Sequence, residues 1–270
     1  MELKFFCPRW GSEYLSWSDF FGKVKGAGYD GVEYAIGRSV TIAELDEVWT
    51  GAAKHGLLLI AQHYDTYESD FELHLALYIK WFERIKGYPV VKINSQTGKD
   101  HFSFEQNEAL ITVATRFSNE TGVQVVHETH RNKFSFAAHI TREYLLRSPN
   151  LLITLDASHW VCVAESFLSD QKETVDLAIS RTEHIHARVG YPEGPQVTDP
   201  AAPECLEALN VHLQWWDKVV ERKRNDKVLT ISPEFGPYPY MVELPYTGQP
   251  VADQWSVNVW IMNLLRARYA

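Results

Sequence analysis

Cysteine is scarce in this chain. Cys7, Cys162 and Cys205 are the only three, and they lie far apart. An odd count with no repeated spacing argues against a disulfide framework or a zinc knuckle, so the three read as reduced, packed thiols. Positive charge is short as well. Lys and Arg total 26 against 35 Asp and Glu, a formal net charge of −9. A protein that tracks phosphates carries a basic face, so nucleic acid is not an expected partner. Nowhere is there an uninterrupted apolar run of about 18 residues, so no membrane span is expected. The opening Met1–Pro8 lacks the long apolar stretch of a signal peptide, which makes a cytoplasmic protein the expectation. No low-complexity linker divides the 270 residues, so residues 1–270 are expected to form a single domain.

What is present is an ordinary globular composition, 45% apolar and 23% charged, arranged with a clear rhythm. Short apolar runs alternate with longer amphipathic segments. The runs predict strands at Leu3–Cys7, Gly31–Tyr34, Leu57–Gln62, Val90–Asn94, Val123–His127, Leu151–Leu155, His184–Arg188 and Val228–Ser232. Several are apolar almost throughout, as parallel strands covered by helices are. Between them lie helix start and stop signals. Thr41 with Glu44 precedes Ile42–His55, which Gly56 closes; Ser103 with Gln106 precedes Phe104–Thr121, which Gly122 closes. Phe71–Lys86 carries Leu75, Leu77, Ile79, Phe82 and Ile85 on an expected buried side, and Val251–Tyr269 reads as a closing helix. Strand-helix units at a spacing of roughly 30 residues predict a (β/α)8 TIM barrel, whose usual length of about 250 residues suits the chain. The two loop-rich stretches, Gly190–Pro203 and Pro233–Pro250, both follow strands and so belong to one face.

Chemistry in such a barrel sits at the C-terminal ends of its strands. There the sequence places Glu33, Gln62-His63, Asn94, His127-Glu128, Asp156, His186 and Glu234. A carboxylate just after a buried strand is costly unless it is paired or metal-bound. Glu128, Asp156, His186 and Glu234 follow successive strands, five to eight, and can converge on one point. Three carboxylates with one imidazole form a mostly hard ligand set, suited to one divalent ion: Mn²⁺, Mg²⁺ or Co²⁺, with Zn²⁺ possible. Trp10, Trp160, Phe235, Tyr238 and Trp255 are aromatics available to pack on the C–H faces of a sugar. His184, two residues before His186, reads as a deeper core histidine. His127 and Thr129 point outward if Glu128 points in. The run Glu221–Lys227 reads as a solvated helix end.

The motifs Val125-Val126-His127-Glu128, Leu155-Asp156-Ala157-Ser158-His159, His184-Ile185-His186-Ala187 and Ser232-Pro233-Glu234-Phe235-Gly236, with Gly28–Glu33 before them, resemble the xylose isomerase-like TIM-barrel superfamily. The closest similarity within it is to the sugar phosphate isomerase/epimerase group, and it spans nearly the whole chain. The resemblance implies that Glu128, Asp156, His186 and Glu234 hold the metal, and that Glu128 and Glu234 are the paired acid/base carboxylates. It also implies that His159 touches a substrate oxygen. The basic residue beyond the seventh-strand histidine is out of place: Arg188 stands only two residues on, a departure that bears on phosphate or terminal hydroxyl recognition. Arg188, His63, Glu33 and Trp10 complete the substrate-binding set, Glu33 and His63 being read either as contacts or as supports beneath the site. The implied activity is isomerisation or epimerisation of a sugar or polyol by proton abstraction next to a carbonyl. A metal-dependent dehydratase of inosose type is the alternative, ahead of an endonuclease IV-like enzyme or a non-catalytic sugar-binding barrel. The long loop Gly190–Pro203 carries no Lys or Arg, which favours an unphosphorylated substrate. Relatives in this group associate through helices or mouth loops, so a homo-oligomer is compatible with the reading.

Overall fold

The computed structural model describes residues 1–270. Eight parallel strands close into a barrel in chain order: β1 (Glu2–Pro8), β2 (Gly31–Ala35), β3 (Leu58–His63), β4 (Ile93–Ser95), β5 (Val125–Glu128), β6 (Ile153–Leu155), β7 (Thr182–His186) and β8 (Val228–Ser232). The first strand meets the last in the register Leu3↔Leu229, which leaves no free edge. The outer ring is α1 (Trp17–Gly26), α2 (Ile42–Lys54), α3 (Phe71–Ile85), α4 (Phe104–Thr121), α5 (Ala138–Arg147), α6 (Ala157–Ala164), α7 (Lys172–Ser180), α8 (Leu206–Arg222) and α9 (Gln254–Arg268). This is the (β/α)8 TIM barrel that the alternating pattern predicts. No helix is long and apolar enough to cross a membrane.

The helices start where capping chemistry begins. Ser16, Thr41, Asp70, Ser103 and Asp253 each accept a hydrogen bond from the backbone N–H three residues on. Each such cap is worth about 1 kcal/mol. Ser103 and Gln106 form the full reciprocal box, and Gly122 ends α4 at φ 74°. The Thr41 box is half-formed, because the Glu44 carboxylate instead accepts from the Tyr34 hydroxyl at 2.9 Å. Two strands are displaced from their expected positions. The seventh begins at Thr182, which pairs with Ile153, and ends at His186, with a register irregularity at Glu183; Arg188 therefore stands beyond the strand. The fourth is Ile93–Ser95, one turn of the pleat beyond the apolar run.

Strand alternation splits the barrel into two layers. Phe5, Val32, Leu59, Ile93, Val125, Ile153, Ile185 and Leu229 join the core beneath the helices. Their neighbours face the lumen. Barrel interiors are usually filled by branched apolar residues; here Phe6 takes up room that a Cβ at Gly31 would occupy, only 2.5 Å from its ring. Above it the lumen is polar: Asn94, Thr154, His184, Thr230, Ser232 and Glu33 are all buried. The two long loops meet over the barrel rim, where the Gln196 side chain accepts from the Gly236 N–H at 2.8 Å and donates to its carbonyl at 3.1 Å. The run Glu221–Lys227 is not simply solvated: Lys223 is buried and tied to Glu183 and Asp226.

Candidate metal centre and its mouth

Glu128 ends β5, Asp156 follows β6 and caps α6, His186 ends β7, and Glu234 stands two residues past β8. One ligand atom from each lies within 4.8 Å of all the others, and all four side chains are buried. The geometry of each group selects which atom is free. Glu128 Oε2 accepts from the amides of Asn94 and Gln96, each at 3.2 Å, and of Gln62 at 3.4 Å. Glu128 Oε1 has no hydrogen-bond partner. His186 Nε2 faces Glu33 Oε1 at 3.0 Å, which fixes the proton on Nε2 and leaves a lone pair on Nδ1. Nδ1 lies 2.8 Å from Glu234 Oε2 and 3.5 Å from Glu128 Oε1, yet it too has no aligned hydrogen-bond partner. Acceptors that face acceptors in a buried site are unfavourable unless a cation or a proton lies between them. The donor set therefore fits a divalent cation of hard to borderline character, with Glu33 orienting the imidazole from behind as carboxylates do behind metal-ligating histidines.

Asp156 is the most heavily tied of the four. Its carboxylate accepts from Arg188 and the Ser158 hydroxyl, and from the Ser158 N–H at 3.1 Å. Of two other groupings of candidate ligands, Glu33, His184 and His186 make donor–acceptor contacts, while Glu128, His130 and His159 share no hydrogen bond and His159 Nδ1 has no partner. His184 Nε2 lies 3.1 Å from Glu33 Oε2 while its Nδ1 lies 2.7 Å from Thr230 Oγ1. His159 Nε2 accepts from Arg188 at 2.7 Å, which puts its proton on Nδ1. With no ion present, electrostatics divide the site. Burial alone pulls the His186 imidazole down, but Glu234, Glu33 and Glu128 outweigh it and hold it well above its ordinary range. Burial raises the Glu128 carboxyl, and His186 and its neighbours reverse that to about 2. Burial prevails at Glu234, which is raised. A proton on His186 thus takes the cation's place, and metal uptake must release it. Affinity for Mn²⁺, measured by competition with a chelator, is expected to fall as pH drops below the raised value, by up to ~10-fold per pH unit. A flat affinity between pH 6 and 8 would contradict the ligand role of His186.

A cavity of about 840 Å³ opens above Glu128 and Glu234, and Arg188, His130, Gln62 and Gln96 share its wall. Of the residues that the sequence assigns to substrate, Arg188 and Trp10 line it. Trp10 lies across the mouth because Gly236 has no Cβ, which would come within 2.1 Å of the indole. His159 is fully buried behind Arg188, its ring 4.0 Å from that of His130. Glu33 and His63 do not reach the mouth. Glu33 sits beneath His186, and His63 faces outward, with Nε2 3.1 Å from Thr66 Oγ1 and its ring edge-on to Tyr78 and Trp81. On the third strand the inward residue is Gln62, one position earlier, as the alternation from Leu59 and Ala61 in the outer core requires. His127 does point outward, onto Thr97 Oγ1 at 2.7 Å. The aromatic expectation also changes. Trp160 donates to the Ser135 carbonyl in the core, Phe235 is buried, and Tyr238 and Trp255 lie elsewhere. Trp17, Tyr34, Tyr64, Tyr67 and Tyr240 are the mouth aromatics that join Trp10.

No family model matches the chain, and no curated protein matches it in sequence. Among solved structures it is similar to the probable 3-DHS dehydratase AsbF, involved in petrobactin synthesis, from Bacillus anthracis. That likeness has a TM-score of 0.60 at 15% identity and covers 98% of this chain and 99% of that one. The catalytic domain of the Thermobifida fusca endoglucanase Cel5A matches with a TM-score of 0.54 at 11% identity, over 98% of this chain and 92% of that one. The two names denote different reactions. At this level of identity the likeness fixes the barrel and its extent, and the chemistry must be argued from the site.

Proposed function

We propose that the protein is a divalent-metal-dependent isomerase or epimerase of a sugar or polyol, acting by proton transfer next to a carbonyl through an enediolate. The observation that carries this reading is the pair of unpartnered buried acceptors, Glu128 Oε1 and His186 Nδ1, turned toward Glu234 at the floor of a large mouth. Glu128, Asp156, His186 and Glu234 would hold the ion, which when bound supplies Lewis-acid polarisation of a carbonyl oxygen. The chain's own residues do the rest. Glu128 and Glu234 both line the mouth from non-adjacent strands and so face a bound substrate from two sides. One removes the proton next to the carbonyl; the other returns one to the same carbon or to its neighbour. Return to the same carbon epimerises, and return to the neighbour isomerises. Gln62, Asn94 and Gln96 hold one Glu128 oxygen in place. Arg188, fixed on Asp156 and stacked 4.7 Å from the Tyr240 ring, presents a positive charge to substrate oxygens.

One observation favours a second reading, metal-dependent dehydration. His130 also lines the mouth, beside Glu128, and gives the site a third proton carrier for a departing hydroxyl. The first test is elemental analysis of the purified protein before and after chelation and Mn²⁺ reloading, followed by a ketose screen in deuterated water. About one tightly held ion per chain, with a mass-neutral product carrying solvent deuterium, is the expected result. Loss of water from the substrate would select the dehydratase. About three zinc ions would point to the nuclease, and no stoichiometric binding under any loading would end the four-ligand reading.

A further inference from the structure

The mouth is larger than its proposed chemistry needs. At about 840 Å³ it lies in the upper part of the ~300–1,000 Å³ range of pockets for drug-sized ligands, far above what one hexose ring fills. The part of its wall away from the carboxylates, an arm of the mouth, is built by residues that end or follow β1 and β2 and by residues of α1 and α2. Leu15, Trp17, Tyr34, Ala35 and Val40 line this arm, and so does Arg9.

Arg9 is an unusual residue to find there. It is only 7% exposed, and its guanidinium lies against the rings of Trp17 at 4.4 Å and Phe20 at 4.5 Å, which are themselves edge-to-face. Nη2 is used, donating to the Leu15 carbonyl at 2.6 Å and to the Glu13 carbonyl at 3.4 Å. Nη1 is buried and has no partner. An unmet N–H on a buried cation is costly. The ring contacts and the Nη2 bonds hold the group in place. Glu13 and Glu44 act on its charge from a distance, but their own carboxylates are engaged, with the Gly11 N–H and the Tyr34 hydroxyl, each at 2.9 Å. They offset the positive charge and would repel a full anion. What Arg9 Nη1 lacks is an acceptor oxygen.

We infer that this arm is a second subsite, which takes a flat apolar group bearing an acceptor oxygen that bonds Arg9 Nη1. The substrate is then a sugar or polyol joined to an aryl group, not a free monosaccharide. This rests on the head-group reading above and names its substrate class. A second sugar ring fits less well. Some of its hydroxyls would meet Ser16, Ser39 and the carboxylates of Glu13, Glu44 and Glu47, but the rest would face Leu15, Trp17 and Val40 and lack partners there, whereas an aryl group would gain offset or edge contacts with Trp17 and Tyr34.

The test is direct binding to the full-length protein, by calorimetry and by quenching of Trp10 and Trp17 fluorescence, with and without Mn²⁺. The probes are methyl, phenyl and 4-hydroxyphenyl β-D-glucopyranoside, and cellobiose. Both aryl glucosides are expected to bind at least ~10-fold tighter than the methyl glucoside or cellobiose, about 1.4 kcal/mol, and the hydroxyphenyl compound tightest. Arg9→Met should remove the advantage of hydroxyphenyl over phenyl and keep that of phenyl over methyl. Val40→Trp, which fills the arm without touching Arg9, should remove both while metal titration stays as in the wild type. Aryl binding no tighter than methyl, cellobiose binding as tightly as the aryl compounds, or an oxygen preference that survives Arg9→Met would each overturn the inference. Metal titration separates the two readings. Aryl binding without stoichiometric metal sinks the proposed reaction and spares the subsite; metal without aryl preference does the reverse.

Discussion

Glu234→Gln is expected to lower turnover by ~1,000-fold, within the range that a positioned acid/base group contributes, while the barrel stays folded. The substitution keeps the shape of the side chain and removes its ability to carry a proton. Glu234 is 5% exposed and sits 2.8 Å from His186 Nδ1 and 3.6 Å from Arg188 Nη2. Its other oxygen accepts from Gln62 at 3.4 Å. A glutamine can keep its oxygen toward Gln62 and turn its amide N–H toward the His186 lone pair, so no buried group is left without a partner. The melting temperature is therefore expected to move little. Because the same residue is a proposed metal ligand, turnover alone does not separate the two roles. The separation comes from measuring Mn²⁺ affinity on the same preparation and assaying at saturating Mn²⁺. If saturation restored wild-type turnover, Glu234 would be a ligand only. If the variant kept full activity without added metal, the acid/base assignment would be wrong. Incorporation of deuterium from solvent should vanish in step with turnover, since both require the same proton transfer.

The barrel and the four-residue cluster were legible in the sequence for the same physical reason. Parallel strands buried on both faces read as apolar runs, and a polar residue that ends such a run must be explained by its partners. Val125-Val126 before Glu128, Leu155 before Asp156 and Ile231 before Glu234 are of this kind, and the structure brings these carboxylates together. The errors came where one residue of phase decides the outcome. Gln62 and His63 are adjacent at the end of β3, and sequence alone favours the histidine as the chemically richer choice. The pleat points Gln62 into the mouth and His63 into the helical layer. Glu33 was legible as an inward residue, with contact and support both open, because the choice depends on depth: His186, higher on a strand across the lumen, lies between it and the mouth. The arm was least legible. Arg9, Trp17 and Tyr34 come from a loop, a helix and a strand, and no spacing links them; only the closure of β1 against β2 does. The one available signal is an arginine and a tryptophan directly after the first strand, Arg9-Trp10.

Glu33 gives the largest expected effect on stability. Its carboxylate accepts from four neighbours in the lumen: His186 Nε2 at 3.0 Å, His184 Nε2 at 3.1 Å, Asn94 Nδ2 at 2.9 Å and the Ser232 hydroxyl. Glu33→Ala would leave a cavity ringed by unmet donors, and breaking a buried charged network in this way costs about 3–5 kcal/mol. At roughly 2–4 °C per kcal/mol for a domain of this size, the melting temperature is expected to fall by about 10 °C. Glu33→Gln is milder and more informative. It keeps the volume but turns one donor against another, so the ring of His186 loses its fixed tautomer. Metal affinity should fall ~10–100-fold, while the rate at saturating metal and the KM for substrate change little. A raised KM at saturating metal would instead mean that Glu33 touches substrate, contrary to its place beneath His186. The pH dependence has a definite sign. Burial raises the Glu33 carboxyl, but the imidazoles of His186 and His184 overcome it and hold it well below the usual carboxylate range. A carboxyl that ionises more readily when folded stabilises fully above its unfolded value and loses that contribution as pH falls through its depressed one. The wild-type protein should therefore show a loss of stability in acid that Glu33→Gln lacks, measured as the difference in melting temperature between pH 7 and pH 3 in chelator. Equal acid sensitivity of the two proteins would show that other carboxylates govern acid unfolding and that the Glu33 network contributes little to it.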